Sequence, residues 1–79
     1  MTYQRIKIDP KIMLGKPVIK GTRIPVYVVL KLLAEGYTTS EIIDEYPDLT
    51  EKDIHAALQY AALITKFEEI ERPLATAKQ

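Results

Sequence analysis

The sequence predicts a mainly α-helical single domain in which three helices follow a small N-terminal β-hairpin. Its 79 residues leave room for one domain, because single domains typically span ~100–200 residues. Apolar residues recur at helical spacing after about residue 25, which indicates amphipathic helices. The preceding segment instead alternates polar and apolar residues between prolines and glycines, a pattern typical of short strands joined by turns.

The N-terminal segment, about residues 3–24, is predicted to form a short β ribbon. Residues 5–9 alternate polar and apolar side chains, as in a half-buried strand, and Pro10 then indicates a turn. Residues 16–20 form a second candidate strand, and Gly21 supplies the next turn. A segment this short predicts a hairpin packed on helices and not an independent sheet.

The first helix is predicted over residues 25–35. Proline suits the first helical position and glycine suits the position just past the end, so Pro25 and Gly36 mark the two ends. The apolar face consists of Val26, Val29, Leu30 and Leu33.

The second helix is predicted over residues 39–46. Thr38 and Glu41 have the spacing of a capping box, in which each side chain accepts a hydrogen bond from the backbone of the other. Pro47 ends this helix, because the residue before a proline is disfavoured in the helical conformation.

The third helix is predicted over residues 51–71 with Thr50 as its N-cap. Pro73 ends it, and residues 73–79 are expected to be a frayed tail. The domain is therefore predicted to comprise residues 1–72.

The short connection between the second and third helices predicts a helix-turn-helix-like domain, and the hairpin makes it winged-helix-like. A plain three-helix bundle is the alternative, because both arrangements have the same helical spacing of apolar residues.

The net charge of zero conceals a division of charge along the chain. Up to Lys31 there are seven basic residues and one acidic residue, a net charge of +6, and from Leu32 onwards the net charge is −6. Such asymmetry indicates nucleic acid or another charged partner. The alternative is that the two parts are solvated faces of one domain that attract each other.

Composition argues against several other classes of function. The chain has no Cys and one His, which excludes disulfides, thiolate chemistry and a multi-histidine zinc site. His55 has no nucleophile or paired carboxylate at a spacing typical of a catalytic site, so we expect no enzyme activity, no cofactor and no metal.

The longest apolar run, residues 24–30, is far short of the ~20 residues needed to span a membrane. The first residues lack the apolar core of a signal peptide, so we expect a cytoplasmic protein.

The candidate nucleic-acid contacts lie on the ribbon and on the third helix. Basic side chains in a rigid turn can bind phosphates, and Lys or Gln on a recognition helix can also reach base edges. The candidates are Lys16, Lys20, Thr22, Arg23, Lys52 and Gln59. The outward face of the third helix is expected to include Glu51, Asp53 and Tyr60 as well. Because the two acids would repel phosphates, the ribbon is expected to supply most contacts. Alternatively, the prolines and Gly21 only shape a hairpin whose charges are solvated.

These residues also carry a family likeness. The string at residues 16–26 (KPVIKGTRIPV), followed by LLAEG at 32–36, II at 42–43, YP at 46–47 and LT at 49–50, resembles the prokaryotic family called domain of unknown function 433. The likeness covers residues 6–62. Leu14 departs from the pattern, because the family usually has a second glycine before the lysine.

The resemblance implies a helix-turn-helix-like fold and a non-catalytic antitoxin. Such a protein would bind a PIN-like ribonuclease toxin and repress its own promoter as a homodimer. The third helix and the acidic stretch after Lys66 are then the candidate dimer and toxin contacts. The alternative is a protein-interaction module that does not bind nucleic acid.

Overall fold

The computed structural model describes residues 5–68, the last two by their backbone alone. It confirms the predicted fold class: three helices follow a two-stranded antiparallel hairpin, and the domain is mainly helical. A short 3-10 turn at Met13–Gly15 lies between the strands. The elements are β1 (Ile6–Lys7), β2 (Val18–Ile19), α1 (Val26–Ala34), α2 (Thr39–Glu45) and α3 (Glu51–Glu68).

The predicted ribbon is present, but its strands are shorter than the alternating pattern indicates. Ile6 pairs with Ile19 in an antiparallel register. The first strand ends early because the Asp9 side chain accepts a hydrogen bond from the Lys11 backbone at 2.9 Å and closes a turn. The other edge of β2 also forms a backbone hydrogen bond, since the Ile19 N–H donates to the Ile24 carbonyl at 2.9 Å.

The turn between the strands adopts a left-handed conformation. Met13 and Leu14 have φ values of 51° and 57°. This region costs a residue with a Cβ roughly 1–2 kcal/mol. The Leu14 side chain is 94% exposed, so packing does not offset the cost.

We therefore expect Leu14→Gly to stabilise the domain by about 0.5–1 kcal/mol, because glycine adopts positive φ freely but loses more backbone entropy on folding. Chemical denaturation measures the change. Leu14→Ala is the matched control, because alanine removes the exposed side chain and keeps the Cβ. Equal stability of the two variants would contradict a conformational origin of the effect.

The end of α1 is closed as predicted at Gly36. This glycine has φ 98° and its N–H donates to the Leu33 carbonyl at 3.0 Å, while the Tyr37 N–H donates to the Leu32 carbonyl at 3.0 Å. The pair of bonds is a Schellman motif, which requires positive φ at this position.

The start of α2 has the predicted capping box. The Thr38 hydroxyl accepts from the Glu41 N–H at 3.1 Å, and the Glu41 carboxylate accepts from the Thr38 N–H at 2.8 Å. The helix ends at Glu45, two residues before Pro47.

The third helix begins at the predicted residue, Glu51, and continues to the last described residue, Glu68. Its predicted end at residue 71 and the predicted tail, residues 73–79, lie outside the described residues. The predicted limit of the domain at residue 72 lies there too.

The helices and the ribbon share one apolar core. The connection between α2 and α3 contributes to it through Leu49, which is 2% exposed and holds the helix-turn-helix-like pair together. The core consists of Ile19, Val26, Val29, Ile42, Leu49, Ile54 and Ala57.

Candidate nucleic-acid interface

The turn at residues 20–23 is held rigidly by its own hydrogen bonds. The Ile19 carbonyl accepts from the Thr22 N–H at 3.0 Å and from the Thr22 hydroxyl at 2.7 Å. The same hydroxyl accepts from the Ile24 N–H at 3.0 Å. Gly21 has φ 85°, which the third position of a type II turn requires. The Thr22 hydroxyl is thus occupied within the turn, and its contribution to a site is to hold the backbone.

Two cationic side chains project from this turn. Lys20 and Arg23 are both exposed. Within the part of the chain that the structure describes, neither is ion-paired with a carboxylate. The turn therefore presents two solvated cations on a fixed backbone.

Arg5 joins this turn to the start of α3. Its backbone carbonyl accepts from the Lys20 N–H at 2.7 Å, and its guanidinium Nη1 donates to Asp53 Oδ1 at 3.0 Å. In the sequence, Arg5 is one of seven basic residues before Leu32 and nothing distinguishes it from the others. No local signal reveals the pair, because the two residues are 48 positions apart.

Asp53 is not an outward residue, and the expectation that it faces solvent is wrong. Its side chain closes a capping box with Thr50, whose N–H donates to Asp53 Oδ2 at 3.0 Å and whose hydroxyl accepts from the Asp53 N–H at 3.2 Å. The residue is 7% exposed, and Arg5 balances its charge. Glu51 is exposed as expected, so one of the two expected sources of repulsion remains. Tyr60 is likewise half-buried and packs against the core.

The two candidates on α3 have different surroundings. Lys52 and Gln59 are both exposed. Lys52 adjoins Asp53 in the chain, and Asp53 contacts Arg5, whose backbone carbonyl accepts from the Lys20 N–H. Gln59 lies two helical turns further on, at about 10 Å along the axis for a rise of 1.5 Å per residue.

Lys16 lies at the edge of an apolar groove and not in the turn. Its Nζ stands 5.7 Å from the centre of the Tyr27 ring, within the range of a cation–π interaction. The groove, of about 400 Å³, separates α1 from the second half of α3. Leu30 and Ile64 line it from the two helices. Ile64 is 42% exposed there, and no signal in the sequence indicates the groove, because it forms between residues of two separate helices.

The basic residues of the ribbon are mostly free of intramolecular ion pairs. Both ion pairs among the described residues join a base of the first part of the chain to an acid of the remainder: Arg5–Asp53 links separate elements, and Lys31–Glu35 lies within α1. The other five basic residues before Leu32 have no carboxylate partner there. Mutual attraction of the two parts therefore accounts for two ion pairs among the described residues, one of them long-range, and leaves most of the basic residues of the first part unpaired.

Across residues 5–66, no three side chains from His, Cys, Asp and Glu lie where they could hold a metal ion. No helix in the described region is long and apolar enough to cross a membrane.

The structure thus defines a small helix-turn-helix-like domain with a basic ribbon. The family described as "Protein of unknown function (DUF433)" matches residues 6–61, and the chain belongs to this family. The resemblance read from the KPVIKGTRIPV string is confirmed.

Solved and curated relatives agree with this membership. The crystal structure of a DUF433 member from Anabaena variabilis ATCC 29413 superposes with a TM-score of 0.71 at 34% identity, over 86% of this chain and 65% of that one. The uncharacterized protein y4eO of Sinorhizobium fredii (strain NBRC 101917 / NGR234) is 38% identical over 53 residues, 67% of this chain and 24% of that protein.

An uncharacterized protein of Archaeoglobus fulgidus is 70% identical over 23 residues, which are 29% of this chain and 64% of that protein. The chain therefore spans about a quarter of the Sinorhizobium protein and just under two thirds of the other two relatives.

Proposed function

We propose that this domain is a non-catalytic, antitoxin-like protein of the cytoplasm that binds DNA through its ribbon. The observation that carries the proposal is the turn at residues 20–23, where Lys20 and Arg23 are exposed and unpaired on a hydrogen-bonded backbone. A turn that is already ordered loses little entropy when its cations bind phosphates. Lys16, on the other side of β2, and Lys52, beside the Arg5–Asp53 pair, extend this basic surface.

In this proposal the ribbon and α3 make different kinds of contact with DNA, because their charges differ. Phosphate contacts supply affinity and position the protein, whereas contacts to base edges supply specificity. The ribbon provides the phosphate contacts, and Gln59 is the α3 side chain suited to an adenine edge. Glu51 lies exposed at the start of α3 and weakens any close approach of that end to DNA.

The same proposal assigns the apolar groove to a protein partner. In an antitoxin-like protein this partner is a PIN-like ribonuclease toxin, as the family resemblance implies, and an apolar segment of it would fill the space beside Ile64. The predicted acidic contacts after Lys66 fall mainly on residues outside the described part of the chain. Repression of its own promoter as a homodimer completes the proposal.

We expect the double variant Lys20→Ala, Arg23→Ala to bind a duplex containing its own promoter at least about tenfold more weakly. The slope of log Kd against log salt concentration should also decrease by about two for each bound protomer, and so by about four for a dimer, because each phosphate contact releases close to one counterion. Fluorescence anisotropy at two or more salt concentrations measures both quantities.

Lys31→Ala is the matched control for each single variant, because it removes the same charge from an exposed position on α1. The assignment of the turn fails if Lys31→Ala weakens binding as much as Lys20→Ala or Arg23→Ala does.

The apolar groove favours a second candidate function, a protein-interaction module without nucleic-acid binding. In that case the basic ribbon would contact an acidic protein surface. No binding to the promoter duplex at low salt, together with a stable complex with the product of a neighbouring gene, would favour this second function.

A further inference from the structure

The exposed face of α3 has a distinctive order of charges. Five exposed residues recur every three or four positions and so share one side of the helix. They are Glu51, His55, Leu58, Ala62 and Lys66, here called the α3 stripe. An acid stands at one end and a base at the other, with Leu58, 48% exposed, between them.

The two charged ends are available for a partner. Among the described residues, neither Glu51 nor Lys66 forms an ion pair. They lie about 11 Å from Leu58 on opposite sides, for a rise of 1.5 Å per residue. A stripe with an acid at one end, a base at the other and an exposed Leu58 at its centre has charges that are complementary to those of its own reversed copy.

We propose that the α3 stripe is the interface between two copies of this chain, with the two α3 helices packed antiparallel about a two-fold axis near Leu58. Each Glu51 then faces Lys66 of the other copy, and the two-fold axis repeats the ion pair. Ala62 faces His55 of the other copy, and its small side chain leaves room for the imidazole. A parallel arrangement would bring like charges together at both ends, so the charges specify the antiparallel one.

This interface deepens the homodimer in the proposed function and rests on it. A two-fold axis on α3 gives the dimer two basic ribbons, so two turns at residues 20–23 can bind one duplex. Lys52 and Gln59 border the α3 stripe, and the dimer leaves them at the edge of the interface.

Charge-reversal variants test the interface by sedimentation equilibrium. We expect the unmodified chain to dimerise weakly, with a Kd on the order of 100 μM and below about 1 mM, because a single helix pair is a small interface. Glu51→Lys and Lys66→Glu should each weaken dimerisation about tenfold, because each replaces two attractive pairs by two repulsive ones. The variant carrying both substitutions should recover most of the loss, because the pairs are restored with reversed polarity.

Glu45→Lys is the matched control, since it reverses an exposed acid on α2 outside the stripe and should leave dimerisation unchanged. Thermal unfolding of each variant shows whether the fold is retained. The proposal is overturned if the doubly substituted chain dimerises no better than the single variants, or if the unmodified chain is monomeric up to about 1 mM. DNA binding by the Lys20–Arg23 turn is measured separately at low salt, so failure of the dimer is distinguishable from failure of the proposed function.

Discussion

Replacing Asp53 by alanine is expected to lower the free energy of unfolding by about 3 kcal/mol. The substitution removes the second half of the Thr50 capping box, which is worth about 0.5–2 kcal/mol. It also removes the carboxylate that Arg5 contacts, and breaking a buried ion pair costs up to about 3–5 kcal/mol. The cost stays below that upper range because the Arg5 side chain is 44% exposed and can be solvated after the change.

Chemical denaturation measures the loss, which corresponds to a decrease in Tm of about 4–8 °C per kcal/mol in a domain of this size. Glu41→Ala is the control, because Glu41 completes an exposed capping box with no ion pair among the described residues. Asp53→Asn separates the two contributions, because the amide oxygen still accepts from the Thr50 N–H and the charge is lost. A cost for Asp53→Ala no larger than that for Glu41→Ala would refute the structural importance of the Arg5 contact.

Replacing Ile42 by alanine is expected to cost about 3–4 kcal/mol, the largest effect among the substitutions considered. Ile42 is 0% exposed and is the fully buried residue of the seven-residue helix α2. Truncating a buried Ile to Ala removes apolar contacts and leaves a cavity, which together cost about 2–5 kcal/mol. A domain of this length has a total stability of roughly 4–12 kcal/mol, so much of it would be lost.

Two conservative changes provide the comparison. Ile42→Val should cost about 0.5–1.5 kcal/mol, and Ile43→Ala should cost less than Ile42→Ala because Ile43 is only half-buried. If Ile43→Ala is as destabilising as Ile42→Ala, then α2 is not anchored by Ile42.

The helices were predictable because their ends depend on neighbouring residues. Thr38 and Glu41 lie three positions apart and close their capping box without help from the rest of the fold. The N–H groups of Gly36 and Tyr37 close α1 through bonds to carbonyls three and five residues earlier, respectively. The predicted start of α2 is therefore the observed one, and its predicted end and both predicted ends of α1 differ from the observed ones by a single residue.

The candidate site was less predictable because its organisation depends on distant residues. From its position in the sequence, Asp53 is expected on the outward face of α3. It is buried and bonded to the Arg5 guanidinium only because the chain beside β1 packs against the start of α3. Thr22 lies among basic residues and so is expected to contact phosphate, but its hydroxyl already forms hydrogen bonds to the backbone of Ile19 and Ile24 across the turn. The groove beside Ile64 exists because α1 and the second half of α3 do not close over that side chain.

The sequence by itself determined the order of the elements, the ends of α1 and α2, the start of α3 and the division of charge at Leu32, because all of these depend on short-range spacing and composition. The tertiary structure decided which charges are used internally and which remain exposed. One long-range pair, Arg5–Asp53, balances a buried acid and ties the ribbon to α3, while Lys20 and Arg23 stay solvated in a rigid turn. The physical reason is that ion pairing requires two groups to meet at about 3 Å, and only the packing of β1 against α3 brings such distant residues together.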